Sequence, residues 1–266
     1  MQVTHALSAA LATWAQRPYP RAVIRRIPSV RRTIELIETS ELSPSVRRFV
    51  FRTLDGSALD YLAGQWMKLY LPGGLDRDYS IASAPIAAGR AGADRFELAI
   101  TRVEGGAGSA ALFALAPGDR LECLGPNGLF VREDRHRDVP AVYVATGTGI
   151  APLRAMIHEE LLRAESSPQV LVFGCRTEAD LLYRGELEAL ARTQPRFRYV
   201  PTLSRADEGW QGRTGYVQSH LAALHAELGP AHHYVCGLTK MIDDVRRTLK
   251  ESIGLDRRFV HTERYD

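Results

Sequence analysis

Ala141-Val142-Tyr143-Val144-Ala145-Thr146-Gly147-Thr148-Gly149-Ile150-Ala151-Pro152 is the stretch on which the reading of this chain turns. Its first five residues suit a strand buried on both faces. Two glycines in three residues follow, then a proline near a helix start, where its missing N–H costs nothing. Glycine lets backbone approach a ligand closely, and the free N–H groups at a helix start attract phosphate. The stretch is not the full G-x-G-x-x-G fingerprint, so an ordinary strand-to-helix turn stays open beside a phosphate site.

Working outward, Leu153, Met156, Ile157 and Leu161 share one face of a helix expected over Pro152–Arg163. Strands follow at Val170–Gly174, Phe197–Thr202, His233–Cys236 and Arg258–Thr262, with helices around Glu186–Ala191, Val217–Leu228 and Met241–Ile253. Such alternation predicts a doubly wound parallel sheet with ligands beyond the carboxyl ends of its strands. Toward the N-terminus the texture changes. Short β-rich runs at Val46–Arg52, Trp66–Leu71, Arg95–Val103 and Asp119–Leu124 are punctuated by Gly, Pro and Asp. That pattern predicts an antiparallel β-barrel. The charged stretch Arg132–Asp138 is the expected joint. The chain then divides into an N-terminal extension (1–30), a barrel (31–137) and an α/β domain (138–266).

The chain has 266 residues, 45% apolar and 24% charged, enough to bury two cores. A net charge of +3 does not point to nucleic acid, and no apolar run is long enough to span a membrane. Cys123, Cys175 and Cys236 form no C-x-x-C pair, which argues against a metal or iron–sulfur site. An odd count without an export signal suits the cytoplasm. Ala6–Ala15 is small and apolar and reads as a short helix or a loose tail.

Two further stretches carry phosphate-type chemistry. Arg77-Asp78-Tyr79-Ser80 offers a guanidinium and an aromatic face two residues apart, against a solvated strand end as the alternative. Glu104-Gly105-Gly106-Ala107-Gly108-Ser109 offers a backbone nest with a serine at a helix start, against a flexible turn.

The order of these motifs, with Gly125-Pro126-Asn127-Gly128-Leu129-Phe130, Cys236-Gly237-Leu238 and the tail His261-Thr262-Glu263-Arg264-Tyr265, resembles the ferredoxin–NADP(H) reductase superfamily from about Arg31 to Asp266. The resemblance implies a Greek-key barrel holding FAD and a second domain holding NADPH, with NADH an alternative. Arg77 would bind a flavin phosphate, Tyr79 would pack on the ring, and Ser80 would lie near flavin N5. Gly106, Gly108 and Ser109 would hold the pyrophosphate. Thr146, Gly147, Thr148 and Gly149 would face the nicotinamide phosphates, with Cys236 and Gly237 beside its ring. Ser204, Arg205, Arg213 and Tyr216 resemble a 2′-phosphate site, although Asp207 and Glu208 share that loop. Ser80, Cys236, Glu263 and Tyr265 would form the catalytic set. Asp266 follows the tyrosine, which departs from a tail ending on its aromatic.

The implied activity is hydride transfer from NADPH to FAD, with single electrons passed to ferredoxin or flavodoxin. The alternatives are a reductase component of an oxygenase, a flavin or quinone reductase, or an electron-transfer subunit without turnover. Between Arg17 and Arg52 stand nine basic and three acidic side chains. They read either as a patch steering an acidic acceptor or as charges scattered over a solvated face.

Overall fold

The structure, a computed structural model, describes residues 24–86 and 89–265. The expectations for Ala6–Ala15, Arg17, Arg21 and Asp266 fall outside them.

Six antiparallel strands form the first sheet: β1 (Val30–Ser43), β2 (Val46–Thr53), β3 (Trp66–Leu71), β4 (Leu75–Ser80), β5 (Arg95–Thr101) and β6 (Arg120–Asn127). Their order is β4-β3-β6-β1-β2-β5. The two edges meet where Ile81 bridges Leu98 and the Ala82 N–H donates to the Glu97 carbonyl at 2.8 Å. The sheet thus curls on itself as expected of a barrel. Alternation supplies its filling: Ile34, Phe49, Phe51, Leu69, Phe96 and Leu98 point inward and are buried. Helix α1 (Ala107–Phe113) follows β5. Its N-cap is Gly106, so Ser109 stands inside the helix rather than at its start.

The second sheet is parallel, built from β7 (Ala141–Thr146), β8 (Gln169–Cys175), β9 (Phe197–Leu203), β10 (Arg213–Thr214), β11 (His232–Gly237) and β12 (Val260–Arg264). Helices α2 (Ile150–Leu161), α3 (Arg184–Thr193), α4 (Leu221–Leu228) and α5 (Thr239–Arg247) connect them. The order β10-β9-β8-β7-β11-β12 shows that the chain winds outward from β7, then returns to lay β11 on its other side. The crevice at such a reversal is where ligands bind. It lies between the carboxyl ends of β7 and β11, at Thr146–Gly149 and Cys236–Gly237.

The two sheets share a core. Val46, Ala63, Ala82, Ala99 and Phe130 from the first half pack in one cluster with Tyr143, Leu153, Met156, Phe173 and Tyr234 from the second. In the charged stretch between them Asp134 and Asp138 are exposed, but Arg132 and His136 are packed inside. Arg132 is 3% exposed and His136 1%. Arg132 donates to the Val139 carbonyl at 2.9 Å and lies 3.5 Å from Glu160, both side chains fully buried. Arg137 also pairs with Glu160. Removing one partner of a buried pair strands the other charge, at a cost of about 3–5 kcal/mol. Glu160→Ala should therefore lower unfolding stability by about that amount in urea titrations. A loss under about 1 kcal/mol would show that solvent already screens these charges.

Candidate functional site

One cleft of about 1610 Å³ runs along the seam between the sheets. A pocket for one small ligand typically measures roughly 300–1,000 Å³, so this cleft suits two large ligands side by side. Arg77, Tyr79, Ser80, Gly106, Gly108 and Ser109 line it from the first half. Thr146, Gly147, Thr148, Gly149, Ser204, Arg205, Tyr216 and Gly237 line it from the second. Glu263 and Tyr265 close the middle.

Arg77 is exposed on β4 and donates to the Asp76 carbonyl at 2.6 Å. Its stem lies against the next loop, and a Cβ on Gly108 would sit 3.1 Å from Arg77 Cγ. A guanidinium beside a glycine turn suits a pyrophosphate. The Ser109 hydroxyl, however, closes its own turn: it accepts from the Val103 N–H and donates to the Gly106 carbonyl, both at 3.0 Å. Any hold on phosphate here falls to the backbone and Arg77. Across the cleft, a Cβ on Gly149 would lie 2.2 Å from the Cys236 carbonyl, so only glycine lets the turn after β7 approach the end of β11.

β12 delivers the tail. It pairs with β11 in parallel, setting Cys236 beside Glu263, and the Tyr265 N–H donates to the Gly237 carbonyl at 3.1 Å. The Ser80 hydroxyl, on β4 of the other sheet, donates to Glu263 Oε1 at 3.0 Å. Burial pushes the Glu263 carboxyl up to about 7 despite that hydrogen bond. The Tyr265 hydroxyl turns inward to Ser80 and Cys236, while 36% of the residue stays exposed. Cys236 is fully buried beneath, and desolvation holds its thiol protonated. It does not line the cleft, so it can reach a bound ring only if Tyr265 moves.

A family pattern described as an oxidoreductase FAD-binding domain matches residues 33–131, and one described as an oxidoreductase NAD-binding domain matches residues 143–247. The chain is 47% identical over 240 residues to ferredoxin–NADP reductase B of Sorangium cellulosum, covering 87% of this chain and 96% of that protein. The chain belongs to the ferredoxin–NADP(H) reductase superfamily. It is also 35% identical over 233 residues to the phenol 2-monooxygenase reductase component DmpP of Pseudomonas, spanning 85% of this chain but only 63% of that longer protein. Among solved structures, the Amycolatopsis cytochrome P-450 reductase GcoB superimposes with a TM-score of 0.78 at 30% identity, covering 89% of this chain and 70% of that one. As a member of the superfamily the chain is an NAD(P)H-dependent flavoprotein reductase whose cofactors are FAD and a nicotinamide dinucleotide.

Two residues of the inferred set stand apart from the cleft walls: Cys236, and Arg213. Arg213 is exposed on β10, 3.5 Å from the His220 ring, with its carbonyl accepting from the Trp210 indole. Ser204 and Arg205 are placed by backbone bonds from their N–H groups to the carbonyls of Cys175 and Arg176, at 3.0 and 2.8 Å. Arg176 thereby joins them on the cleft wall. Sequence reasoning missed it, together with Trp66, Lys240 and Asp244, which also line the cleft. Its position directly after β8, at a carboxyl strand end, was the available signal. Asp207 and Glu208 do not line the cleft, and Asp207 is used to accept from the Gly209 N–H at 3.1 Å.

Among the described residues, four of the seven arginines in the basic N-terminal stretch are ion-paired. Arg25 bonds Asp60, Arg31 Glu122, Arg48 Glu38 and Glu97, and Arg52 Glu35. That favours scattered charges over a steering patch. His136, His232 and His261 cluster away from the cleft, with nitrogens within 4.8 Å of one another. His136 and His232 stack at 3.9 Å, which runs their in-plane lone pairs side by side rather than onto one ion. Desolvation, then His261 and the neighbouring Arg135 and Arg132, push His136 down to about 3.

Glu263 yields a pH test. Its carboxyl is raised in the fold, so the stability it contributes is complete below about pH 4.5 and is lost as pH rises through about 7. Discounted for partial exposure, the loss is roughly 2 kcal/mol. Glu263→Gln should be more stable than the parent at pH 8 and no more stable at pH 4, by denaturant titration at each pH. A parallel offset at both would remove the buried carboxyl as the cause.

Proposed function

We propose that this chain takes hydride from NADPH onto FAD and passes the electrons singly to a separate protein acceptor, a ferredoxin or flavodoxin. The observation that carries the reading is the single cleft in which Arg77 and Tyr79 of the barrel face Gly147–Gly149 of the parallel sheet across Ser80 and Glu263. Bound FAD would supply the two-electron to one-electron conversion, and the protein supplies orientation and electrostatics. The proposed division keeps residues 31–137 for flavin and 138–266 for nicotinamide, with 1–30 as an extension. Three free cysteines suit the reducing cytoplasm.

Each residue then has a physical task. Arg77 pairs with a flavin phosphate beside Gly106 and Gly108. Tyr79, half-buried, offers its face to the ring. Ser80 and Glu263 hold a proton at the seam, because a carboxyl near 7 exists in both forms at working pH. Tyr265 stands where a nicotinamide ring must enter, and its displacement opens the way to Gly237 and Cys236. Thr146, Gly147, Thr148 and Gly149 receive the dinucleotide phosphates. Ser204, Arg205 and the added Arg176 suit a 2′-phosphate, with Tyr216, 68% exposed, at the rim for the adenine. The withdrawal of Asp207 and Glu208 from the cleft favours NADPH, since an acid there would favour a free ribose hydroxyl. Arg213 reaches the phosphate only by swinging from His220.

The name of the Sorangium relative supports ferredoxin as acceptor. The likeness to a monooxygenase reductase component favours a second reading, in which an oxygenase component takes the electrons. Stopped-flow bleaching of the flavin by NADPH and NADH, followed by reoxidation with each acceptor, separates the readings. Reduction by neither nucleotide would end both.

Arg77→Ala should purify with most of its flavin lost, read as the absorbance ratio near 450 and 280 nm; full retention removes its phosphate role. Arg205→Ala should raise the KM for NADPH about tenfold or more, the worth of one charge-assisted pair, and spare NADH. An equal effect on both nucleotides would remove the case for 2′-phosphate recognition.

A further inference from the structure

Arg154 lies one turn into α2, the helix that begins at the Gly147–Gly149 turn. It is 8% exposed, and its guanidinium serves both halves of the molecule. Toward the barrel, Nη1 donates to the Ala82 carbonyl at 2.8 Å and to Glu97 Oε2 at 3.2 Å. Toward the parallel sheet, Nε and Nη2 donate to the two oxygens of Glu186, each at 2.7 Å. Its flat face covers the Tyr183 ring at 4.4 Å, and Tyr183 is held at a φ of 55°, costly for a bulky side chain. Glu97 is itself held by Arg48 at 2.7 Å, and Glu186 by His158 at 2.7 Å. A chain of charges thus runs from the barrel wall through one arginine into α3.

The barrel groups it grips belong to the platform under Ser80. Ala82 is two residues beyond Ser80, and its N–H is bonded to the Glu97 carbonyl. Arg154 therefore connects the segment that carries Ser80 to the helix that carries the nicotinamide phosphate turn. Besides the Ser80–Glu263 hydrogen bond at 3.0 Å, the Thr101 and Thr148 hydroxyls stand 3.4 Å apart across the seam, a long contact. A rigid planar fork of five N–H groups can grip both oxygens of Glu186 and still reach Ala82 and Glu97 from another nitrogen; a lysine ammonium, with its three N–H groups on one nitrogen, cannot span that arrangement.

We propose that Arg154 is the positioning residue that sets the spacing between Ser80 and the Gly147–Gly149 turn, and through it the distance over which hydride passes from nicotinamide to flavin. This rests on the flavin reductase reading above. Hydride transfer needs the reacting atoms within about 3–3.5 Å, and a misplacement of about 1 Å can cost roughly a hundredfold in rate.

The test uses Arg154→Lys, with Glu97→Gln as the second variant should the first fail to fold. The first measurement needs no cofactor. Thr101→Cys and Thr148→Cys are introduced together into the flavin-free protein, and disulfide formation by oxidised glutathione is timed; two thiols lose two electrons and two protons, and one glutathione disulfide becomes two glutathiones. With Arg154 intact the bond should close quickly, and with the lysine at least fivefold more slowly. The second measurement is stopped-flow reduction of the flavin-loaded variants without the added cysteines. The limiting rate should fall about ten- to a hundredfold, while flavin content and the Kd for NADPH stay within twofold. Parent cross-linking and parent limiting rates in both variants overturn the proposal. So does a lowered melting temperature alone, which would mean a purely structural ion network. If the parent is reduced by neither nucleotide, the functional reading fails, and the cross-linking arm still decides whether Arg154 sets the spacing.

Discussion

The hydrogen bond from Ser80 to Glu263, 3.0 Å long, joins the last residue of a barrel strand to the edge strand of a parallel sheet 183 residues later. Much of the site depends on it. It exists because β12 runs in register along β11, so that one short strand carries Glu263 beside Cys236 and leaves Tyr265 at the mouth. It also explains the electrostatics. A carboxyl drawn away from water to meet a neutral hydroxyl gains too little to offset desolvation, and its proton affinity rises. The same burial keeps the Cys236 thiol protonated. At the centre of the cleft Glu263 thus passes between its charged and neutral forms near neutral pH, while the thiol beside it stays neutral.

Two contacts hold the halves at the angle this arrangement needs. At the connecting stretch, Arg132 and Arg137 enclose Glu160. Nearer the cleft, Arg154 grips Ala82, Glu97 and Glu186. Between them runs an apolar cluster that draws residues from both halves. Domains of one chain commonly move against each other when their interface is small and polar. Here the interface is apolar and carries buried ion pairs, so large hinge motion would expose charges and core together. The smaller element at the seam is the tail, where a third of Tyr265 is exposed and one strand-end hydrogen bond to Gly237 secures the backbone. That tyrosine is held less firmly than the two sheets are held to each other.

Much of the architecture could be read along the chain. Apolar runs such as Val170–Gly174 are buried on both faces, and their alternation with helical stretches signals a parallel sheet. The alternation in Trp66–Leu71 signals a sheet with one buried face. The short β10 escaped notice because two exposed residues have no periodicity. The helix expected at Val217–Leu228 opens as a 3₁₀ turn over Val217–His220, a distinction that apolar spacing does not carry. The charges of Arg132–Asp138 marked a joint, but charge pattern says nothing about whether a partner such as Glu160 waits across the core.

The sequence by itself supplied glycine turns, an arginine beside an aromatic and an acidic–aromatic tail, and their order carried the resemblance to one flavin and nicotinamide family. These are local features, set by backbone freedom and side-chain type. Only the tertiary structure decided which groups meet. It put Ser80 on Glu263, hid Cys236 beneath Tyr265, turned Ser109 into its own loop, sent Arg213 to His220, and brought in Arg176. Those outcomes depend on strand register and on burial across residues far apart in the chain, and no spacing within a single stretch encodes them.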